Sequence, residues 1–234
     1  MENKGFDIGS AKERLMEAAL SHAVFDGWSE ATFRAACEDI GIAPALARAV
    51  FPRGALDLAI AYHKAGDAAM VAALDAEDLT ALRFRDRVAL AVRLRLEGAD
   101  RELVRRGAAL FALPQNAATG ASLVWGTADA IWRALGDTSE DINWYSKRAT
   151  LSAVYSSVVL YWLGDDSAGQ DATWQFLDRR IEDVMRFEKF KAQVRDNPVL
   201  GRVLAGPMKI LERVRAPTGA PGDLPGRMTG KEGA

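Results

Sequence analysis

Residues 137–163 read DTSEDINWYSKRATLSAVYSSVVLYWL, and this stretch decides the fold. It opens on a capping box, Thr138 with Asp141 three residues on. Trp144, Tyr145, Lys147 and Arg148 follow as an aromatic and basic cluster in the first helical turns. Beyond Arg148, up to Leu163, no side chain is charged. A helix that is apolar on nearly every side is expected to be buried all round. The run is too short, and too rich in Ser and Thr, to span a bilayer. Such a helix needs a shell of other helices, and the rest of the chain is expected to supply them.

Composition sets outer bounds. The 234 residues can hold one large or two small domains, and 49% hydrophobic with 26% charged residues suits a globular protein. A net charge of −2 gives no global field to recruit nucleic acid. One cysteine, Cys37, excludes a disulfide framework and a thiolate metal cluster. The start, MENKGFDIGS, has acids and no apolar core, so it reads as neither a secretory signal nor a transit peptide. The expected location is the reducing cytoplasm of a bacterium.

Working outward, the chain reads helical throughout, with no period-2 alternation and no fixed repeat. Leu15, Ala18, Ala19 and Ala23 share a helical face that Gly27 ends. Ser29 caps a second helix, and a third, short helix follows Gly41. Phe51, Pro52, Arg53 and Gly54 form a turn. Over residues 83–97, Val88, Val92 and Leu96 make one face, with Arg85, Arg87, Arg93 and Arg95 placed elsewhere. A helix over 103–113 ends at Pro114. Asn116 is expected to cap the next, which stops at Gly136. Asp165 and Asp166 are read as a solvated turn before a last helix over 173–190. The division expected is a tail over 1–10, a helix-turn-helix-like domain over 11–64 and a helical body over 65–190, which the resemblance described next makes a lipid-binding domain. A linker with an amphipathic helix over 191–215 and a disordered tail over 216–234 complete it.

Ala18, Ala19, Leu20, Phe25, Gly27, Ala36, Gly41, Ile42, Phe51, Pro52 and Leu56 resemble the helix-turn-helix of TetR-type regulators. The second half is similar to another family with that fold, the accessory lipid-binding proteins of ubiquinone (coenzyme Q) biosynthesis. Gly136, Asp137, Asp141, Ile142, Asn143, Trp144, Tyr145 and Arg148 carry that likeness, with Thr173, Trp174, Phe176, Leu177, Arg179, Arg180 and Ile181. The resemblance spans about residues 11–190. It implies an all-α, TetR-like fold: a three-helix helix-turn-helix, an antiparallel helical ligand-binding bundle and a C-terminal amphipathic helix. It also implies a homodimer that holds an isoprenoid lipid or quinone precursor, assists the demethoxyubiquinone hydroxylase and touches the membrane, expected here to be the inner membrane of a bacterium. No cofactor is implied. The rival reading is a TetR-type, ligand-responsive transcriptional regulator.

The residues argue against that rival. The recognition helix, APALARAV, offers one cation, Arg48, and no side chain for bidentate base reading. Residues 1–64 carry seven Lys/Arg against nine Asp/Glu, a poor footprint for phosphate contacts. No specific nucleic acid is expected as a partner. His22 and His63 each lack a Glu three residues before, which excludes a di-iron carboxylate motif. No catalytic residue is assigned, and the chain is expected not to be an enzyme. Trp125, Trp132, Tyr155, Val158, Tyr161 and Trp162 are the candidate lipid-lining residues. Trp144 and Tyr145, supported by Arg148, are candidate anchors for the hydroxylase, since Trp, Tyr and Arg dominate interface hot spots. Leu200, Val203, Leu204, Met208 and Leu211 recur at helical steps with Arg202 and Lys209 off the stripe, an expected helix on an anionic membrane surface.

Overall fold

The computed structural model of the chain describes residues 8–196. The membrane-helix expectation, with Leu200, Arg202, Val203, Leu204, Met208, Lys209 and Leu211, and that of a terminal tail lie outside them. The described residues are all-helical. α1 (Ile8–Asp26), α2 (Glu30–Asp39) and α3 (Pro44–Val50) form the helix-turn-helix. α4 (Ala55–Asp75), α5 (Phe84–Glu97), α6 (Arg101–Phe111), α7 (Ala117–Ala134), α8 (Ile142–Leu163) and α9 (Asp171–Asp196) form the body.

Local chemistry explains the breaks. Gly27 stands at φ +67°, a conformation side chains resist, and the Ser29 hydroxyl accepts from the Thr32 amide at 3.2 Å. α1, α2 and α3 bury Leu15, Ala19, Phe33, Cys37 and Ala47, and Phe51 and Leu58 close that cluster. A second cluster joins Met70 and Leu74 of α4 to Val92, Ile131, Leu151, Val158, Trp162 and Leu177. α8 runs between α7 and α9.

The structure changes several expectations. The cap of α8 is Asp141, whose carboxylate accepts from the Asn143 amide at 2.9 Å; Thr138 does not cap it. α8 is not buried all round: Ala149, Ala153 and Leu160 face outward, Leu160 at 68% exposure. Its uncharged residues exceed what α7 and α9 cover. Asn116 does not cap α7 with its side chain; it is buried and donates to the Leu110 carbonyl at 3.1 Å. Asp165 is buried, not solvated. It accepts from the amides of Ser167 and Thr173, each at 2.8 Å, and from the Thr173 hydroxyl, so it tethers the start of α9. These donors hold its carboxyl well below the usual range.

Candidate functional site

A cavity of about 300 Å³ lies where α4, α5, α6, α7 and α8 converge. Trp28 borders it too, pinned by its indole N–H to the Leu103 carbonyl at 3.2 Å. The α6 and α7 walls are built from small residues: Gly107, Ala108, Ala112, Ala117, Gly120 and Ala121. Of these Gly107 is buried, while Ala112, Ala117 and Ala121 are exposed, as is Leu160 on α8. The cavity therefore opens outward past α6, α7 and Leu160.

Its inner end is polar. Arg95, only 4% exposed, borders the cavity. Its Nε donates to Asp67 Oδ1 at 2.7 Å and its Nη2 to the His63 carbonyl at 3.0 Å. The Thr127 hydroxyl lies 2.9 Å from both Asp67 Oδ1 and His63 Nε2. It has one proton, so giving that to Asp67 leaves it to accept from His63 Nε2–H. Gly66 makes room for this cluster, since a Cβ there would meet the guanidinium at 2.7–2.9 Å. Burial pushes the His63 pKa down; Asp67 opposes it and Arg95 adds to it. Burial also pushes the Tyr155 phenol up to about 12, and both groups are neutral at pH 7.

A second cavity, of about 250 Å³, lies among α5, α7, α8 and α9, bordered by Phe84, Trp132, Lys147, Leu151, Val154 and Val184. It holds no comparable cluster of buried polar groups.

At the start of α8 a charged staple is buried. Arg148, 1% exposed, donates from Nε to Asp129 at 2.6 Å and from Nη1 to Asp137 at 3.0 Å and the Trp144 carbonyl at 3.1 Å. Lys147 reaches Asp137 at 2.7 Å and the Ser139 hydroxyl at 2.6 Å. Burial raises the Asp137 pKa, but Lys147, Ser139 and Arg148 together outweigh it and hold the carboxyl well below the usual range. The staple fixes an aromatic cluster at the surface. Trp144 and Tyr145 meet edge-on at 4.8 Å, Trp125 stands 5.9 Å from Trp144, and the Arg148 guanidinium lies 4.0 Å from the Trp144 ring.

The expected lipid-lining residues do not share one site. Tyr155 borders the first cavity and Trp132 the second. Val158 is fully buried in the core. Trp162 is buried beside it and donates to Gln170 at 2.7 Å. Tyr161 is 39% exposed and stacks on Phe176 at 4.5 Å. Trp125 joins Trp144 and Tyr145, all three half-buried. Arg148 is too deeply buried to meet a partner; it positions the two rings. Arg95, Asp67, Thr127 and Gly66 were missed as a site. The available signal was spacing: Arg95 lies seven residues after Val88 and one before Leu96, so it belongs on the apolar face of α5 and not elsewhere. On the recognition helix, the guanidinium of Arg48 is tied to both Glu30 oxygens at 2.7 and 2.8 Å. His22 is a surface residue, 2.7 Å from Asp39.

Residues 117–188, from the start of α7 well into α9, match the model of the COQ9 family. The chain is 31% identical over 193 residues to the probable ubiquinone biosynthesis protein coq9, mitochondrial, of Dictyostelium discoideum, covering 79% of this chain and 63% of that one. It is 28% identical over 193 residues to the human ubiquinone biosynthesis protein COQ9, mitochondrial, covering 79% of this chain and 60% of that one. The chain thus spans about three fifths of the length of these relatives. A TetR transcriptional regulator from Nitrosomonas europaea matches in structure with a TM-score of 0.60 at 16% identity, covering 74% of this chain and 97% of that one. That likeness shows a TetR-like fold. The relatives also correct the expected location in a bacterial cytoplasm and on a bacterial inner membrane, for they are named as mitochondrial proteins and come from eukaryotes.

Proposed function

The chain is a homologue of the COQ9 ubiquinone biosynthesis proteins, and from that premise we propose that it acts in ubiquinone biosynthesis by holding an isoprenoid quinone precursor for the demethoxyubiquinone hydroxylase. The observation that carries the reading is the first cavity. It is walled by apolar and small side chains, ends on a few convergent polar groups, and opens outward, the usual build of a small-molecule site. Its volume of about 300 Å³ sits at the lower limit for such sites. A ring and the first isoprene units fill it, and the remaining tail lies across the mouth by Leu160. The chain itself supplies no chemistry on this reading. The helix-turn-helix is a retained scaffold, its one recognition-helix cation neutralised by Glu30.

Lipid extraction from natively purified protein, followed by mass spectrometry, tests the proposal. A prenylated phenol or quinone at near one per chain is the expected result. Protein that carries none and takes none from vesicles would sink it.

Trp125, Trp144 and Tyr145 form the surface that meets the hydroxylase. Three rigid rings held by a buried staple are suited to anchor a partner at low entropic cost. Changing Trp144→Ala and Tyr145→Ala together should weaken the hydroxylase complex by about 2 kcal/mol or more, roughly thirtyfold in Kd. The helical circular dichroism should persist. Undiminished pull-down by the folded double variant counts against this surface. A homodimer belongs to the same reading. Contact with an anionic membrane falls to residues 198–215.

A further inference from the structure

We infer that residues 198–215 of this chain fold back into the second cavity, the groove between α5 and α9, and rest there when no lipid surface takes them. The groove is apolar and open. Phe84, at 49% exposure, and Met185, at 43%, stand at its mouth, and the buried Val88, Leu151 and Val154 line its depth. Phe84 is held there by its stack on Trp132 at 5.5 Å. A smaller hollow of about 180 Å³ adjoins it, sharing Arg85 and Ile181, and is bordered by Asp86, Asp178 and Glu182. Arg83 and Arg85 answer Asp86, and Arg186 answers Glu182. Asp178 is exposed and pairs with no cation among the described residues. The occupant that fits is apolar along one side and cationic at one end.

Residues 198–215 have both properties and the right length. Their second half carries Met208, Leu211 and Val214 at helical steps, with Lys209, Arg213 and Arg215 against the single acid Glu212. α9 ends at Asp196, and Asn197–Pro198 is a turn-forming pair. As a helix, residues 198–215 span about 27 Å, the same length that α9 covers between Asp178 and Asp196. Doubling back antiparallel brings Met208 and Leu211 level with Met185, Val184 and Ile181. It brings Arg213 and Arg215 level with Glu182 and Asp178. Gly206–Pro207 permits a bend near the middle, so the second half alone enters the groove. Docking covers the apolar stripe in water, and the stripe cannot lie in the groove and on a membrane at once.

The test uses the full chain without lipid, so the membrane reading does not enter. Met185→Cys places a thiol at the mouth of the groove, and its rate of modification by a maleimide is measured. Cys37, 1% exposed, stays out of the reaction. A second chain adds Met208→Asp and Leu211→Asp, which strip the segment of two apolar side chains. The thiol should react about tenfold faster or more in that second chain, since the burial of both side chains is lost. Circular dichroism should be unchanged, and the protection should be the same at every protein concentration. Arg213→Glu with Arg215→Glu should speed the reaction by about threefold, and adding Asp178→Lys should restore the protection. Equal rates in the first two chains overturn the docking. Protection that grows with concentration also overturns it, for a second copy then fills the groove. Release by the two glutamates without rescue by Asp178→Lys overturns the antiparallel register.

Discussion

Arg148→Met should lower the stability of the fold by about 3–5 kcal/mol, read as a reduced urea midpoint in circular dichroism. Arg148 joins two carboxylates from different parts of the chain, Asp129 on α7 and Asp137 in the loop before α8. The Asp137 side chain is 3% exposed and that of Asp129 20%. Met fills much of the space but leaves both carboxylates without the guanidinium. Removing one partner of a buried ion pair costs more than the pair contributes, because the other charge stays buried. Against a total stability of about 5–15 kcal/mol, the loss is a large fraction. Loss of the staple also frees the Trp144 ring, which lies 4.0 Å from the guanidinium. Acid should strain the same network. The folded Asp137 pKa is depressed, so its stabilisation is full above the ordinary carboxylate value of about 4 and fades as pH falls below it. A variant as stable as wild type would mean that the staple contributes nothing net.

Much of the fold was legible because local chemistry marked it. Gly27, Ser29 and the Phe51–Pro52 turn carry their own geometry, and a sequence reader needs no partner to place them. The start of α8 was misread for a reason that only the fold supplies. Asp137 is drawn inward by Lys147 and Arg148, which holds the following loop out of helix until Asp141 can cap. The lipid-lining candidates on α8 suggest one wall in the sequence, yet helical rotation sends Tyr155, Val158 and Tyr161 to cavity, core and surface. The polar end of the cavity was the least legible part. It draws residues 63, 67, 95, 127 and 155 from four helices, and no local spacing brings them together. Arg95 in particular looks like one more exposed arginine until its position on the apolar face of α5 is counted.

Gly107→Leu should empty the cavity of lipid without unfolding the protein. Gly107 lies in the middle of α6, where a glycine costs about 1 kcal/mol against a good helix former. A Cβ there would stand 3.7 Å from Trp28 Nε1 and 3.9 Å from Phe111 Cε2, ordinary contact distances. The backbone therefore does not require a glycine; what the missing side chain leaves is open space on the cavity wall. Leu would enter that space, and its helix propensity together with the apolar surface it buries should hold the melting temperature level or raise it. The ligand would lose the same room. Each methylene kept out of an apolar site forfeits about 0.8 kcal/mol, so excluding two weakens binding by about 1.6 kcal/mol, roughly fifteenfold. Mass spectrometry of the purified variant should find lipid reduced by about that factor, with circular dichroism unchanged. Undiminished lipid in a folded Gly107→Leu protein would move the binding site away from this cavity. A marked fall in melting temperature would instead make Gly107 a packing residue, and the small wall of α6 would then need another explanation.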